Sequence, residues 1–511
     1  MSLNPEKLRR AAKNLKKDHA LGTPDARARV AAVLPETRTL KHADALHVVA
    51  REAGFDSWPK LKFTAQAQAM DKTARVNRLK MALFHGQEWV VDQLLAQDPT
   101  LRDGAFEIQV AMFDKAAVEA AISRDPRLAT TPIGPRRPIL HLAFSKWLQG
   151  HPELEGDMLA IAEILCRNGA DVNDAFPWQE GETHMLPALY GALGHADNMP
   201  LSRWLLEHGA DPNDNESLYH ATELGHHEGL DMLISFGAKP AGTNALLRAM
   251  DFNDHLAVEK LLSAGADPNE GIANHPSGQP PEVVSALHQA ARRDNDTRMV
   301  EILIAAGADL EARYQGITAY AMARACGSRQ AADALAAAGA KTSLPEAVQL
   351  LADAAEGRMT EGVFVDPAKL PQELRNLLRT VIAEPSKFDF AKRLVAIGIE
   401  WDRPDSMGLT PVQIAGWEGL PEQMAYLLAQ RPDLGHINGY GGTLLSTVIH
   451  GSENCPARSQ RDHIACARLA LEEGVALPRP AIRHAGDADM AEFLSDWADT
   501  YPGQVVEHGI G

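Results

Sequence analysis

The chain has 511 residues, 45% of them hydrophobic and 5% aromatic, with a formal net charge of −18. That length exceeds one conventional compact core and predicts several domains or an array that grows in one direction. An acidic chain is a poor match for phosphate backbones, which need clustered Lys and Arg, and no run of about 18 apolar residues is present to span a membrane, so neither nucleic acid nor membrane is an expected partner.

Residues 1–72 carry about +6, leaving about −24 for the rest. The opening MSLNPEKLRRAAKNLKK lacks the apolar stretch of a secretory signal. It predicts a helix with Leu8, Ala12 and Leu15 on one face and its cations on a solvated face. LKHADALHVVAREAGFDSWPKLK, from Leu40, predicts a helix stopped at Gly54, after which Phe55 and Trp58 offer large apolar surfaces to bury. Four scattered cysteines, Cys166, Cys326, Cys455 and Cys466, form no C-x-x-C pair, which predicts small buried hydrophobes in a reducing, cytoplasmic compartment.

Beyond a helical stretch at 73–134, one phrase recurs. It reads NGADVND from Asn168, HGADPND from His208, FGAKPAG from Phe236, AGADPNE from Ala264, AGADLEA from Ala306 and AGAKTS from Ala338. Each copy closes an amphipathic run such as SRWLLEHGAD or AVEKLLSAGAD, with Gly where a helix needs a left-handed stop. The Asp and Asn that follow bond local amides and turn the chain. A second phrase opens each unit: RPILHLAF from Arg137, ESLYHATELGHHE from Glu216, SALHQAARRD from Ser285, GITAYAMARACG from Gly316 and GLTPVQIAGWEG from Gly408. It reads as a short alanine-rich helix with a cap or Pro at its start. A pair of helices of this kind buries its apolar face only by stacking on copies of itself.

These units resemble the ankyrin repeat. The resemblance rests on the helix starts at Thr410 and Pro411 and at Ser285, Leu287, His288, Ala290 and Ala291, on the turn at Gly225 and His226, and on the closings Gly169 to Asn173, Gly209 to Asn213 and Gly265 to Asn269. The segment from Leu40 resembles one that precedes the repeats in many bacterial ankyrin-repeat proteins. The resemblance implies an all-α fold: a curved ankyrin-repeat helical solenoid with few short hairpins and a helical N-terminal cap, its first helices lining a concave groove that binds other macromolecules. The boundaries it suggests are a cap region at 1–72, degenerate repeats at 73–134, repeats with inserted loops at 135–345, degenerate repeats at 346–404, C-terminal repeats and a capping helix at 405–500, and a tail at 501–511. About ten to twelve units, each adding about one helix diameter, predict an elongated particle on the order of 100 Å.

The repeat period is about 33 residues, yet Gly209, Gly237 and Gly265 are only 28 apart, so these units lack room for a hairpin. In contrast, 40 residues separate Gly169 from Gly209 and 42 separate Gly265 from Gly307, with DAFPWQEGETH and GIANHPSGQPPEV inserted. Such inserted loops are where function tends to collect.

Most of the histidines read as structural. His141 and His288 occupy the helix-start slot where a ring bonds backbone, His195 and His226 sit at turns, and His208 precedes a stop glycine. Glu180, Glu182 and His184 lie close together but match no dedicated metal spacing, and no metal or cofactor is expected. No nucleophile elbow, phosphate loop or dinucleotide fingerprint is present. By the resemblance, residues just after the Ala-Ala pair face the groove. The expected partner-binding set is therefore Phe252, Arg292, Arg293, Trp417, Glu418 and His450, with Trp178 on an inserted loop. The function so implied is a scaffold that recognises a protein or peptide. The alternative is an enzyme or small-ligand binder, with a pocket between the groove helices and the loops around Trp178 to His184 and Asn274 to Pro281. Converging His and carboxylate groups in a pocket would favour the latter, and an open groove with exposed Trp417 and Arg293 the former.

Overall fold

The computed structural model describes residues 4–34, 40–179, 181, 183–271, 284–359 and 362–507. Among them helices dominate. Strands are confined to two antiparallel hairpins, Ala175–Pro177 with Met185–Pro187 and Arg313–Tyr314 with Ile317–Thr318, and a parallel pairing of Leu477–Pro478 with Val505–Val506. The first hairpin lies in the long Gly169–Gly209 interval. No strand forms between Gly209 and Gly265, where the short spacing leaves no chain to pair.

The recurring phrase has a physical reason that reaches across units. The helix Met199–Glu207 begins at Asn198, whose side chain accepts the Leu201 N–H, and stops at Gly209, where φ is +95°. Asp211 then accepts the Asn213 N–H at 2.9 Å. Asn173, one unit earlier, donates through Nδ2 to the Gly209 carbonyl at 3.1 Å and accepts the Asp211 N–H at 2.8 Å. Asn269 repeats both bonds, to the Gly307 carbonyl at 3.0 Å and from the Asp309 N–H at 2.7 Å. The Asn of each such phrase thus ties down the turn of the next. Histidine works alongside. His288 donates to the Ile317 carbonyl at 3.0 Å, His141 to Ile133 at 3.3 Å and His195 to Phe84 at 2.8 Å. Burial pushes His141 and His195 down to about 4, so both rings stay neutral.

Stacking follows two rows. First helices pack on first helices: Ser217–Ala221, Ala245–Asp251, Ala286–Arg292 and Ala319–Cys326 in succession. Second helices do the same, as in His255–Ser263, Thr297–Ala305 and Arg329–Ala337. Leu287, Ala290, Ala291, Val300 and Leu303 are buried between the rows, in one apolar core that runs from Val110 to Trp497. Between the helices Glu346–Ala355 and Phe388–Ala396 the chain adds two short helices, Gln372–Arg375 and Leu377–Ile382. Leu374, Leu378, Val381 and Ile382 anchor them in the core.

The N-terminal helices Pro5–Ala20, Pro24–Val33 and His42–Glu52 share a small core of their own, in which Ala12, Leu15 and Trp58 are buried. Their cationic face is not simply solvated. His42–Glu52 packs against the last helix, Ala488–Thr500. Lys13 Nζ donates to Asp496 Oδ1 at 2.5 Å, Lys16 Nζ to Glu492 Oε2 at 3.1 Å, and His42 Nδ1 lies 3.3 Å from Glu492 Oε1. The two ends of the array therefore meet, and the expectation of an elongated particle is corrected. Where they meet, the basic opening helix faces the acidic closing one.

Candidate functional site

Three consecutive first helices share a polar slot just before the alanine, filled by His220, Arg248 and Gln289. Three residues later, at or just past the end of each helix, stand Glu223, Asp251 and Arg292. Together these six residues form a continuous chain of charge-assisted bonds. His220 Nδ1 lies 2.7 Å from Glu223 Oε2. Arg248 donates to Glu223 through Nε at 2.7 Å and to Asp251 through Nη1 at 2.8 Å. Asp251 Oδ1 also accepts from Gln289 Nε2 at 2.6 Å and lies 2.7 Å from Arg293 Nε. Arg292 donates to Gln289 Oε1 at 2.6 Å.

Both ends of this chain are held by inserted segments. At one end, Glu216 is only 3% exposed and bridges His220, at 3.4 Å, to His184 of the inserted hairpin, at 3.5 Å. At the other, the next unit offers apolar Met322 and Ala325 in the equivalent slots, and Glu373 of the added helix Gln372–Arg375 reaches Arg292 Nη1 at 3.5 Å instead. The added helices and the three first helices line a partly open polar cavity of about 590 Å³. Asn244, Arg379 and Asp405 complete its wall, Arg379 Nη2 lying 2.5 Å from Asp405 Oδ2. Burial opposes charge on His220, but its bonds to Glu216 and Glu223, and their charges, outweigh this and raise it to about 9. Burial holds Arg379 below the usual guanidinium range, against the pull of Asp405.

Of the residues expected from sequence, Arg292 and Arg293 line this cavity. Phe252 stands beside it, 52% exposed, with the Arg248 guanidinium 4.8 Å above its ring. Trp417, Glu418 and His450 belong to a separate place. Trp417 is half-buried rather than exposed, its carbonyl accepting from His463 Nε2 at 2.9 Å. Burial pushes the Glu418 carboxyl up, Cys455 Sγ–H donates to it at 3.6 Å, and His450 is exposed beside Asn454. Trp178 is 60% exposed on the hairpin, its N–H donating to the His184 carbonyl. Glu180, Glu182 and the loop from Asn274 to Pro281 lie outside the described residues. Among the described residues no three His, Cys, Asp or Glu side chains are grouped to hold a metal ion.

Sequence reasoning missed His220, Arg248, Gln289, Glu373 and Arg379. The first two carried a readable signal, a base three residues before an acid on an exposed helix face. The last two sit on an added element that no repeat phrase marks. A larger cavity, about 930 Å³, lies in the seam between the chain's two ends, lined by Lys16, His42, Arg461 and Glu492, and contains none of the expected site residues.

Residues 284–314 match the family model described as the ankyrin repeat. No curated protein matches the chain. Among solved structures, the crystal structure of the human ASB11 ankyrin repeat domain is 21% identical, covers 45% of this chain and 96% of that one, and superposes with a TM-score of 0.34. At that score the likeness carries no argument. No helix among the described residues is long and apolar enough to cross a membrane.

Proposed function

We propose, with the ankyrin repeat at 284–314 as premise, that the chain is a binding scaffold for a protein partner, which it recognises as a peptide segment along the first-helix row and the inserted segments. Ankyrin repeats are generally protein–protein interaction scaffolds. The observation that carries the reading here is the open 590 Å³ cavity, built from three first helices and flanked by the added ones. Surfaces of this kind are assembled from rigid elements and present Arg and aromatic groups, the types that anchor interfaces. Four free cysteines fit a cytoplasmic setting for this binding.

The enzyme alternative has one observation on its side, the convergence of His220 with Glu216 and Glu223. Both ring nitrogens of His220 face carboxylates, and it is held protonated near neutral pH. It therefore lacks the lone pair a general base needs. Its polar partners among the described residues are the carboxylates of Glu216 and Glu223, and neither is a hydroxyl or thiol nucleophile.

Photo-crosslinking tests the scaffold reading. A photoreactive side chain at Phe252, on the first-helix row, should form an adduct with one protein partner in cells. The same group at Arg298, exposed on a second helix, should form none. Equal labelling at both positions, or none at either, would refute the proposal.

A further inference from the structure

We infer that the cavity under Gln372–Ile382 is a receptor for an acidic side chain carried on an extended peptide. The carboxylate meets the guanidinium groups of Arg293 and Arg379, and the neighbouring peptide group meets Asn244. The inference rests on the scaffold reading and adds the chemistry of what is bound.

Three observations carry it. First, two of the residues that line this cavity each carry a buried side-chain polar atom without a hydrogen-bond partner among the described residues, the donor Arg379 Nε and the acceptor Asn244 Oδ1. A buried polar group without a partner costs stability unless something arrives to satisfy it, and a peptide group supplies both a C=O and an N–H. Second, Asn244 precedes the helix Ala245–Asp251, where an Asn side chain ordinarily caps the first turn. Here it caps nothing, and its backbone is left-handed at φ +61°. Third, the charges are arranged for an anion. Within a chain of net −18, Arg248, Arg292, Arg293 and Arg379 line one cavity. Its carboxylates are already engaged: Glu223 and Asp251 by Arg248, Glu373 by Arg292 and Asp405 by Arg379. A cationic guest would have to displace an arginine. An anionic guest need only accept from the remaining N–H groups of the Arg293 and Arg379 guanidinium forks, which carry five each. Arg293 is held through Nε and is 46% exposed, so its fork stands at the mouth.

The test uses the full chain and the probe acetyl-Gly-Gly-Glu-Gly-Gly-amide, with its Gln and Lys counterparts, succinate and inorganic phosphate, followed by calorimetry and saturation-transfer NMR. The Glu peptide should bind, and the Gln and Lys peptides should bind at least about tenfold more weakly. Arg293→Gln and Asn244→Gly, the latter keeping the left-handed backbone, should each weaken the Glu peptide by about tenfold or more at an unchanged unfolding midpoint. Preference for the Lys peptide, no peptide binding, or binding untouched by both variants overturns the inference. Succinate or phosphate binding as tightly as the Glu peptide, with the same dependence on Arg293, also overturns it and marks a free-anion site. If the crosslinked partner of Phe252 is captured equally by Arg293→Gln protein, the cavity assignment fails while the scaffold reading stands. If the Glu peptide binds but no partner is crosslinked, the scaffold reading fails and the cavity assignment stands.

Discussion

Asn269 shows how much of this fold is decided by single polar side chains. It holds the turn of the following unit through two bonds, at 3.0 and 2.7 Å. Asn269→Ala should lower stability by about 1–2 kcal/mol, read from urea unfolding, with Leu287→Ala costing about 2–5 kcal/mol through its cavity as the apolar comparison. Histidines set the pH response. His141 and His195 are pushed from 6.5 to about 4 by burial, so the unfolded chain takes up protons first on acidification. Their contribution is present above about 6.5 and is lost as pH falls towards about 4. His220 runs the other way. Raised from 6.5 to about 9, its contribution is full below about 6.5 and is lost as pH rises towards about 9. The thermal midpoint should therefore fall on both sides of neutrality, and His220→Gln should flatten the alkaline limb alone. An alkaline limb unchanged in that variant would show that Glu216 and Glu223 do not hold the charge.

Among the elements, the row of first helices is the most sensitive to size. The helix Leu444–Asn454 crosses Pro411–Trp417 so closely that a Cβ on Gly451 would collide with the Trp417 carbonyl. Alanine raises helix propensity by about 1 kcal/mol, yet Gly451→Ala should destabilise the protein by about 1–3 kcal/mol because packing overrides propensity there. Gly156 makes the opposite case. It sits in the helix Glu155–Arg167 with open space where a Cβ would go, so Gly156→Ala should be neutral or slightly stabilising. Hydrogen exchange over 411–417 distinguishes the two, because only Gly451→Ala should speed it.

For the whole molecule, the meeting of the two ends is electrostatic at its rim. Lys13 and Asp496 are each 53% exposed, so salt acts on them directly. Raising ionic strength from 0.1 to 1 M shortens the Debye length from about 10 to about 3 Å. The maximum dimension from solution scattering should lengthen over that range. Lys16→Glu should lengthen it at low salt, and adding Glu492→Lys should reverse the change. A dimension unaffected by salt and by both changes would show that apolar packing alone holds the ends.

The repeat phrases, the stop glycines, the helix-start histidines and the missing hairpins between Gly209 and Gly265 were legible from the chain alone, because each depends on contacts within about one unit or with its neighbour. Local chemistry repeated in order is what a linear reading detects. Arg292 and Arg293 were expected as binding residues only through the resemblance, and the spacing of Arg248 and Asp251 held a further signal. The cavity itself could not be read. Its far wall comes from Glu373 and Arg379, some eighty residues beyond Arg292 in sequence, on helices that copy no repeat phrase. Closure of the ends joins Lys13 to Asp496, 483 residues apart. Nothing in local periodicity encodes such a distance. It is set by how the small angles between stacked units accumulate along the array, and the tertiary structure alone fixes that sum.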